Sequence, residues 1–290
     1  MATFGTRHAE PAAAHSEDVD LLLCNVEARL RVLLPVAAPN ENDVLFDATA
    51  RALLGRGKRV RPIMAMLACA HVGGSTGNAL DFGCAVEMVH AASLVLDDLP
   101  CMDNAVLRRG APTIHTTHGE DAAILAAVAL LNQAYSVVLD DEAVRPLTRL
   151  AIMRGLTAAI GFNGLSQGQM RDLRDTPARR DDTGLRHLNH QKTSALFISA
   201  LVGGGAIGGA TAEQTASLAV FGEAIGFAFQ LRDDLMDVTA SSSETGKDER
   251  QDADKLTFLN LWGEERVRPA IRQSLDRAQD AVGPDGPLSR

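Results

Sequence analysis

Aromatic residues are scarce in this 290-residue chain: Phe, Tyr and Trp make up 4%, with a single Trp and a single Tyr. Sheet proteins draw on aromatic and β-branched residues at alternating positions. Here the 46% hydrophobic share is carried by Ala, Leu and Val in long runs without alternation, which favours helices. Cysteine is sparse too. Cys24, Cys69, Cys84 and Cys101 are widely spaced, show no paired metal-ligand pattern and lie mostly in apolar helical stretches, so reduced, buried thiols are expected. The basic excess that nucleic acid or an anionic membrane would reward is absent, since the formal net charge is −9; an anionic ligand must therefore meet a local basic cluster. The opening MATFGTRHAEPAAAHSEDVD lacks an apolar core and carries acids, unlike a signal or transit peptide. Residues 1–18 are expected to form a flexible tail ahead of one domain over 19–290. No apolar run is expected to cross a membrane without a charge or a helix breaker, so a soluble cytoplasmic protein is anticipated.

Helical patterns recur from about Val19 onward, broken by turn signals at Pro39-Asn40, Gly73-Gly74, Gly110-Ala111-Pro112 and Asp181-Asp182-Thr183-Gly184. The stretch GGGAIGG at Gly203 to Gly209 matches dinucleotide-binding spacing through Gly203, Gly205 and Gly208. That motif requires a preceding strand, whereas LFISALV before it and TAEQ after it read as helices. Close helix packing through small residues is the better account.

Two aspartate clusters sit on otherwise apolar helical sequence: Asp97, Asp98 and Asp103 in LVLDDLPCMDN, and Asp233, Asp234 and Asp237 in FAFQLRDDLMDV. Gln230, Asp233, Asp234 and Asp237 fall at steps of three, one and three, so they share one helix face. Carboxylates grouped on an apolar helix repel one another and lose hydration unless something positive sits there. Oxygen ligands without His or Cys suit a hard cation such as magnesium, completed by substrate phosphates. A solvated acidic face is the bland alternative for either cluster alone, and finding two counts against it. In the first cluster Pro100 should end the helix near Asp98 and loop Asp103 back toward its partners. His90 lies two turns before Asp97 on the same face, about 10 Å away by helical rise.

Three basic groups could answer these acids: Lys58, Arg59 and Arg61 in GRGKRVRP; Arg108 and Arg109 in LRRG; and the later Lys192, Lys247 and Lys255. Forked guanidinium and point-charge ammonium donors together suit phosphate. Each group alone reads equally well as a solvated basic face. A diphosphate with magnesium explains acids and bases together. Phosphoryl transfer stays open on these residues, but there is neither a GxxxxGK[ST] loop nor a kinase loop signature, so diphosphate departure is the better reading.

Taken in order, GKRVRP, AVEMVHAASLVLDDLPCMDNAVLRRG, GQMRDL, QKTSALF, FQLRDDLMDV and TGKDERQDADKLTFLNLWG resemble the trans-isoprenyl diphosphate synthases, most closely the bacterial carotenoid-pathway geranylgeranyl diphosphate synthases. The resemblance covers nearly the whole chain after the tail. It implies an all-α, single-domain barrel of antiparallel helices around a central cavity, acting as a homodimer on isopentenyl diphosphate and an allylic diphosphate, with three magnesium ions per site. It makes Asp97, Asp103 and Asp233 the principal magnesium ligands, with Asp98, Asp234 and Asp237 supporting. Arg108, Lys192, Lys247 and Lys255 would hold the allylic diphosphate, with Thr193 and Gln230 nearby, and Lys58, Arg61, His90 and Arg109 would hold isopentenyl diphosphate.

In relatives stopping at fifteen carbons an aromatic residue commonly stands near the positions of Ala92 and Ser93. Small residues here imply room for a twenty-carbon product, geranylgeranyl diphosphate. The chain departs from the family at Asn104, Ala105 and Val106, where further acids are common, and its end, PDGPLSR, comes early by comparison with relatives, so a tail covering the isopentenyl site is expected to be missing. The alternatives are a farnesyl or longer-chain synthase, a noncatalytic subunit, which would be expected to lose an acidic cluster, and a terpene cyclase, against which Lys58, Arg61 and His90 argue.

Overall fold

The computed structural model describes residues 19–35, 43–175, 181–239 and 257–289. The expected tail 1–18 lies outside them. The described chain is built from helices α1 (Val19–Leu33), α2 (Val44–Leu54), α3 (Val60–His71), α4 (Leu80–Asp97), α5 (Ile114–His118), α6 (Glu120–Asp140), α7 (Pro146–Ile160), α8 (Leu165–Arg174), α9 (Asp182–Asn189), α10 (Ala195–Gly208), α11 (Ala212–Thr239), α12 (Phe258–Trp262) and α13 (Glu264–Val282). One two-stranded hairpin interrupts them, β1 (Leu107–Arg108) with β2 (Ala111–Pro112). The all-α expectation holds, with that hairpin as an addition.

The layering follows from side-chain size and apolarity. In α4 every residue from Phe82 to Val89 is buried, as are Ala91, Ala92 and Val95, so this helix runs through the interior instead of showing one face to water. It packs on α6 through Ala123, Ala126, Ala127 and Leu130. Each fully buried Leu or Phe here contributes about 1.5–3 kcal/mol relative to exposure.

The glycine run lies within α10, as expected of a packing element. A Cβ at Gly204 would overlap the Ala65 carbonyl, and one at Gly203 would overlap the Phe82 ring. Backbone of α10 therefore seats directly on α3 and α4. Phe227, Phe258 and Trp262 form an aromatic cluster that pins α12 to α11, with Phe227 and Phe258 edge-on at 5.1 Å between centroids.

Two expectations need correcting. Cys69 and Cys84 are buried thiols, but Cys24 and Cys101 are exposed, because Cys24 falls on the outer face of α1 and Cys101 follows the turn that Pro100 imposes. The second concerns membrane-length runs. Residues 122–139 in α6 carry no charge, Pro or Gly, and both Thr76–Asp97 and Glu120–Asp140 are long and apolar enough to cross a membrane. The first is mostly buried within the protein, whereas α6 has Ile124, Leu125 and Val128 exposed on its outer side.

Candidate active site

Helix α4 ends at Asp97, and the backbone then turns back as Pro100 dictates. The Asp103 N–H donates to the Asp97 carbonyl at 2.9 Å, Asn104 N–H to Leu99 O at 3.0 Å and Ala105 N–H to Asp98 O at 3.2 Å. Asn104 takes the left-handed conformation, φ 49°, which Asn tolerates better than most residues. Asp97 and Asp103 thus stand together at a helix C-terminus, whose dipole already disfavours negative charge. Burial pushes Asp97 up to about 6; the nearby Lys192 opposes that and Asp103 adds to it.

Asp98 faces elsewhere. It is buried, and Arg108 grips it through Nε at 2.7 and 2.9 Å to its two oxygens and through Nη2 at 2.6 Å. Burial raises the Asp98 pKa while the Arg108 bonds pull it down; the multiple contacts keep the pair ionised. The hairpin makes this possible. Arg109 and Gly110, φ 53° and 76°, form its two-residue turn, both residues at the positive φ that such turns demand. Arg108 is thereby aimed at Asp98, and Arg109 donates through Nη1 to Arg56 O at 2.8 Å.

The second cluster also divides its labour. Asp233 is half-buried and close enough to Arg61 to support its charge. Asp234 is buried and accepts from Phe258 N–H at 2.8 Å and from Gln230 Nε2 at 2.9 Å, while Thr193 Oγ1 donates to Gln230 Oε1 at 3.1 Å. Thr193 and Lys192 lie on a π-helical turn, His190–Ser194, a register shift frequent at functional sites. The side chain of Asp237, and all of Lys247 and Lys255, lie outside the described residues.

A separate basic group forms where α3, α4 and the hairpin meet. Arg61 lies over the Phe197 ring at 4.4 Å from its centroid, and its buried Nε has no hydrogen-bond partner. Burial lowers its pKa to about 10, with Glu87 and Asp233 opposing and Arg109 reinforcing. Burial, then Arg61 and Arg109, hold His90 well below the usual imidazole range, so it is neutral at pH 7 and can donate one ring N–H. Arg61 and His90 both retain accessible surface despite this desolvation, as side chains on the wall of a deep cleft would. Lys58 is exposed.

Ala92 is buried and Ser93 half-buried on α4, the Ser93 hydroxyl donating to His90 O at 2.9 Å. Sequence reasoning missed Asp172, whose carboxylate accepts from Lys192 Nζ at 2.6 Å. It also missed Gln169, whose Nε2 reaches Met102 Sδ at 3.8 Å while its buried Oε1 lacks a partner. Both stand in the GQMRDL stretch, where an acid and an amide amid helical sequence were the available signal.

Among the described residues, no three Asp, Glu, His or Cys side chains converge closely enough to enclose an ion. The oxygen-only pair Asp97 and Asp103, with Asp97 desolvated at the negative end of a helix, instead fits a hard cation that takes one or two protein carboxylates and fills its shell from ligand oxygens.

The polyprenyl synthetase family model matches residues 43–281. The geranylgeranyl diphosphate synthase of Pantoea ananas is 44% identical over 261 residues, covering 89% of this chain and 85% of that protein; that of Pseudescherichia vulneris is 39% identical, covering 90% and 84%. Among solved structures, an FPP/GFPP synthase from Zymomonas mobilis in its apo form superposes with a TM-score of 0.83 at 31% identity, covering 93% of each chain. A geranyltransferase from Helicobacter pylori, complexed with magnesium and isoprenyl diphosphate, gives a TM-score of 0.85 at 27% identity, with 97% and 95% coverage.

Proposed function

The chain belongs to the polyprenyl synthetase family, and from that premise we propose that it is a prenyltransferase that joins isopentenyl diphosphate to an allylic diphosphate and makes geranylgeranyl diphosphate. One observation carries the reading: a mixed acidic and basic group (Asp97, Asp103, Lys192, Arg108) stands within electrostatic reach of a second, cation-rich group (Arg61, His90, Arg109), the two joined by the Asp233–Arg61 interaction. The first suits a diphosphate accompanied by metal, the second a diphosphate alone.

Asp97, Asp103 and Asp233 are the residues that would hold magnesium, with Asp237 supporting, Asp98 acting through Arg108, and three ions per site. When bound, the metal supplies positive charge to the leaving diphosphate. Arg108 and Lys192, already placed by Asp98 and Asp172, stabilise the charge that develops as the allylic C–O bond breaks and its electron pair goes to diphosphate; Lys247 and Lys255 belong to the same group. Thr193 and Gln230 position the allylic end. Lys58, Arg61, Arg109 and neutral His90 hold isopentenyl diphosphate so that its double bond attacks the allylic cation in line. A proton then leaves the adjacent carbon of the isopentenyl unit to the released diphosphate. The small side chains of Ala92 and Ser93 leave space for twenty carbons.

A homodimer is the proposed assembly, and it is supported by the outer side of α6 and α7, where Ile124, Leu125, Val128, Leu147 and Leu150 are exposed, an apolar surface that a second copy would cover. Four cysteines, none in a disulfide, suit a reducing cytoplasm.

The test is incubation with isopentenyl and farnesyl diphosphates, with and without magnesium, followed by mass analysis of the dephosphorylated products. A magnesium-dependent twenty-carbon alcohol, lost in Asp97→Ala and Asp233→Ala, is expected. No condensation with any allylic starter overturns the proposal.

A further inference from the structure

The cation-rich group raises an unanswered physical question. Arg59, Arg61 and Arg109 crowd one region beside His90, and like charges held in a desolvated space repel. A Cβ placed on Gly57 would come within 2.8 Å of Arg109 Nη1 and 2.9 Å of Arg59 Nη1, so two guanidinium groups converge on the same point. Some buried counter-charge must hold them there.

Arg59 is withheld from a ligand, because it is buried and three of its five N–H donors are engaged within the protein. Nε donates to Glu27 at 2.7 Å, Nη1 to Glu87 at 2.9 Å and Nη2 to Gly55 O at 2.8 Å. Its side chain is 2% exposed and that of Glu87 is 3%. Burial opposes the charge on Arg59, but Glu87 and Glu27 together more than offset it. Arg59 also caps α3 with a left-handed backbone, φ 47°, an uncommon conformation for a residue other than Gly, Asn or Asp that costs of order 1–3 kcal/mol and must be held by its surroundings. That turn separates Lys58, which points to solvent, from Arg61, which lies inside against Phe197. Glu87, one turn before His90 on α4, is also the leading carboxylate opposing the desolvation of Arg61 and of Arg109.

We propose that Glu27 and Glu87 are positioning residues for the isopentenyl diphosphate site: they clamp Arg59 between α1 and α4, and this clamp fixes the turn that spaces Lys58, Arg61 and Arg109 for one diphosphate. Glu27 lies on α1, ahead of the segment that the family model matches, and in this proposal α1 contributes to the site through Arg59. The inference rests on the proposed prenyl transfer.

Steady-state kinetics of Glu27→Gln and Glu87→Gln test it, with Arg29→Gln as control, since Arg29 anchors α1 through Asp81 at 2.7 Å away from the clamp. The expected result is an isopentenyl KM raised about tenfold in each glutamine variant, with the allylic KM within about twofold of wild type and the isopentenyl KM of Arg29→Gln unchanged. An isopentenyl KM that does not move, that rises together with the allylic KM, or that rises equally in Arg29→Gln overturns the proposal while leaving the enzyme's function standing. Should Glu87→Gln not fold, Glu27→Gln, whose side chain is 26% exposed, decides alone. Should the wild type make no product, the functional reading fails separately, and calorimetric titration with isopentenyl diphosphate decides: binding several-fold weaker in Glu27→Gln supports the clamp, and equal affinity overturns it.

Discussion

Replacing Asp98 by Asn separates two roles that its place in the acidic cluster confounds. In the structure both carboxylate oxygens of Asp98 are engaged by Arg108, at 2.6 to 2.9 Å. Asn retains one acceptor and loses the charge, so Arg108 keeps a weaker tether and swings toward solvent, to which it is already 24% exposed. Charge-assisted hydrogen bonds contribute about 1.5–3 kcal/mol, and the partial exposure of Arg108 argues for the lower half of that range. If most of this is lost in placing the allylic diphosphate, kcat/KM for the allylic substrate falls roughly 10- to 30-fold, at about 1.4 kcal/mol per tenfold. The assay varies the allylic diphosphate at saturating magnesium, then varies magnesium at saturating substrate. The structure requires the allylic KM to rise with the magnesium half-saturation point nearly unchanged. A magnesium requirement that shifts tenfold while the allylic KM stays fixed would refute the argument and make Asp98 a direct metal ligand.

Three further outcomes follow from packing and charge. Gly204→Ala should lower stability by about 2–4 kcal/mol, read as a drop in Tm, because α10 and α3 must separate to admit one methyl group; an unchanged Tm would contradict the contact. Thiol titration of the native protein should show two fast groups, Cys24 and Cys101, and two that react only on unfolding, since burial pushes Cys69 up to about 11 and Cys84 higher still; four equal rates would count against this. His190 donates from Nδ1 to Glu223 at 2.6 Å, and that bond raises its pKa against the opposing pull of burial. Its contribution to stability is therefore complete below the unfolded value near 6.5 and is lost as pH rises through the folded one. With His190 44% exposed, solvent screening limits it to a few tenths of a kcal/mol, and chemical denaturation across pH 6–8 should show the loss in wild type and not in Glu223→Gln.

Local features announced much of the site. Pro100 foretold that Asp103 returns to Asp97, because a residue without an N–H that restricts its neighbour leaves the chain few other courses. The glycine run declared itself a packing element by lying within helical sequence. The shared face of Gln230, Asp233 and Asp234 did not reveal that Asp234 turns to the Phe258 N–H, because its partner is 24 residues away and no periodicity encodes it. Asp98 was likewise legible as an acid and illegible as the partner of Arg108, because that pairing depends on the direction a two-residue turn gives the hairpin.

What the sequence determined by itself was the kind of chemistry: residue type and short-range spacing dictate helices, the two carboxylate clusters and the basic groups that answer them, and several ordered motifs identify the family. Tertiary structure decided which of those charges remain available. Asp98 and Arg59 are consumed by buried pairs, while Asp97 and Arg61 are left desolvated where ligands can reach them. The difference is physical. A side chain's ionisation and freedom depend on the dielectric around it and on partners that folding brings from distant positions. Glu27 reaches Arg59 across 32 positions and Glu87 reaches it across 28, and only the packing of α1 and α4 against α3 brings the three together.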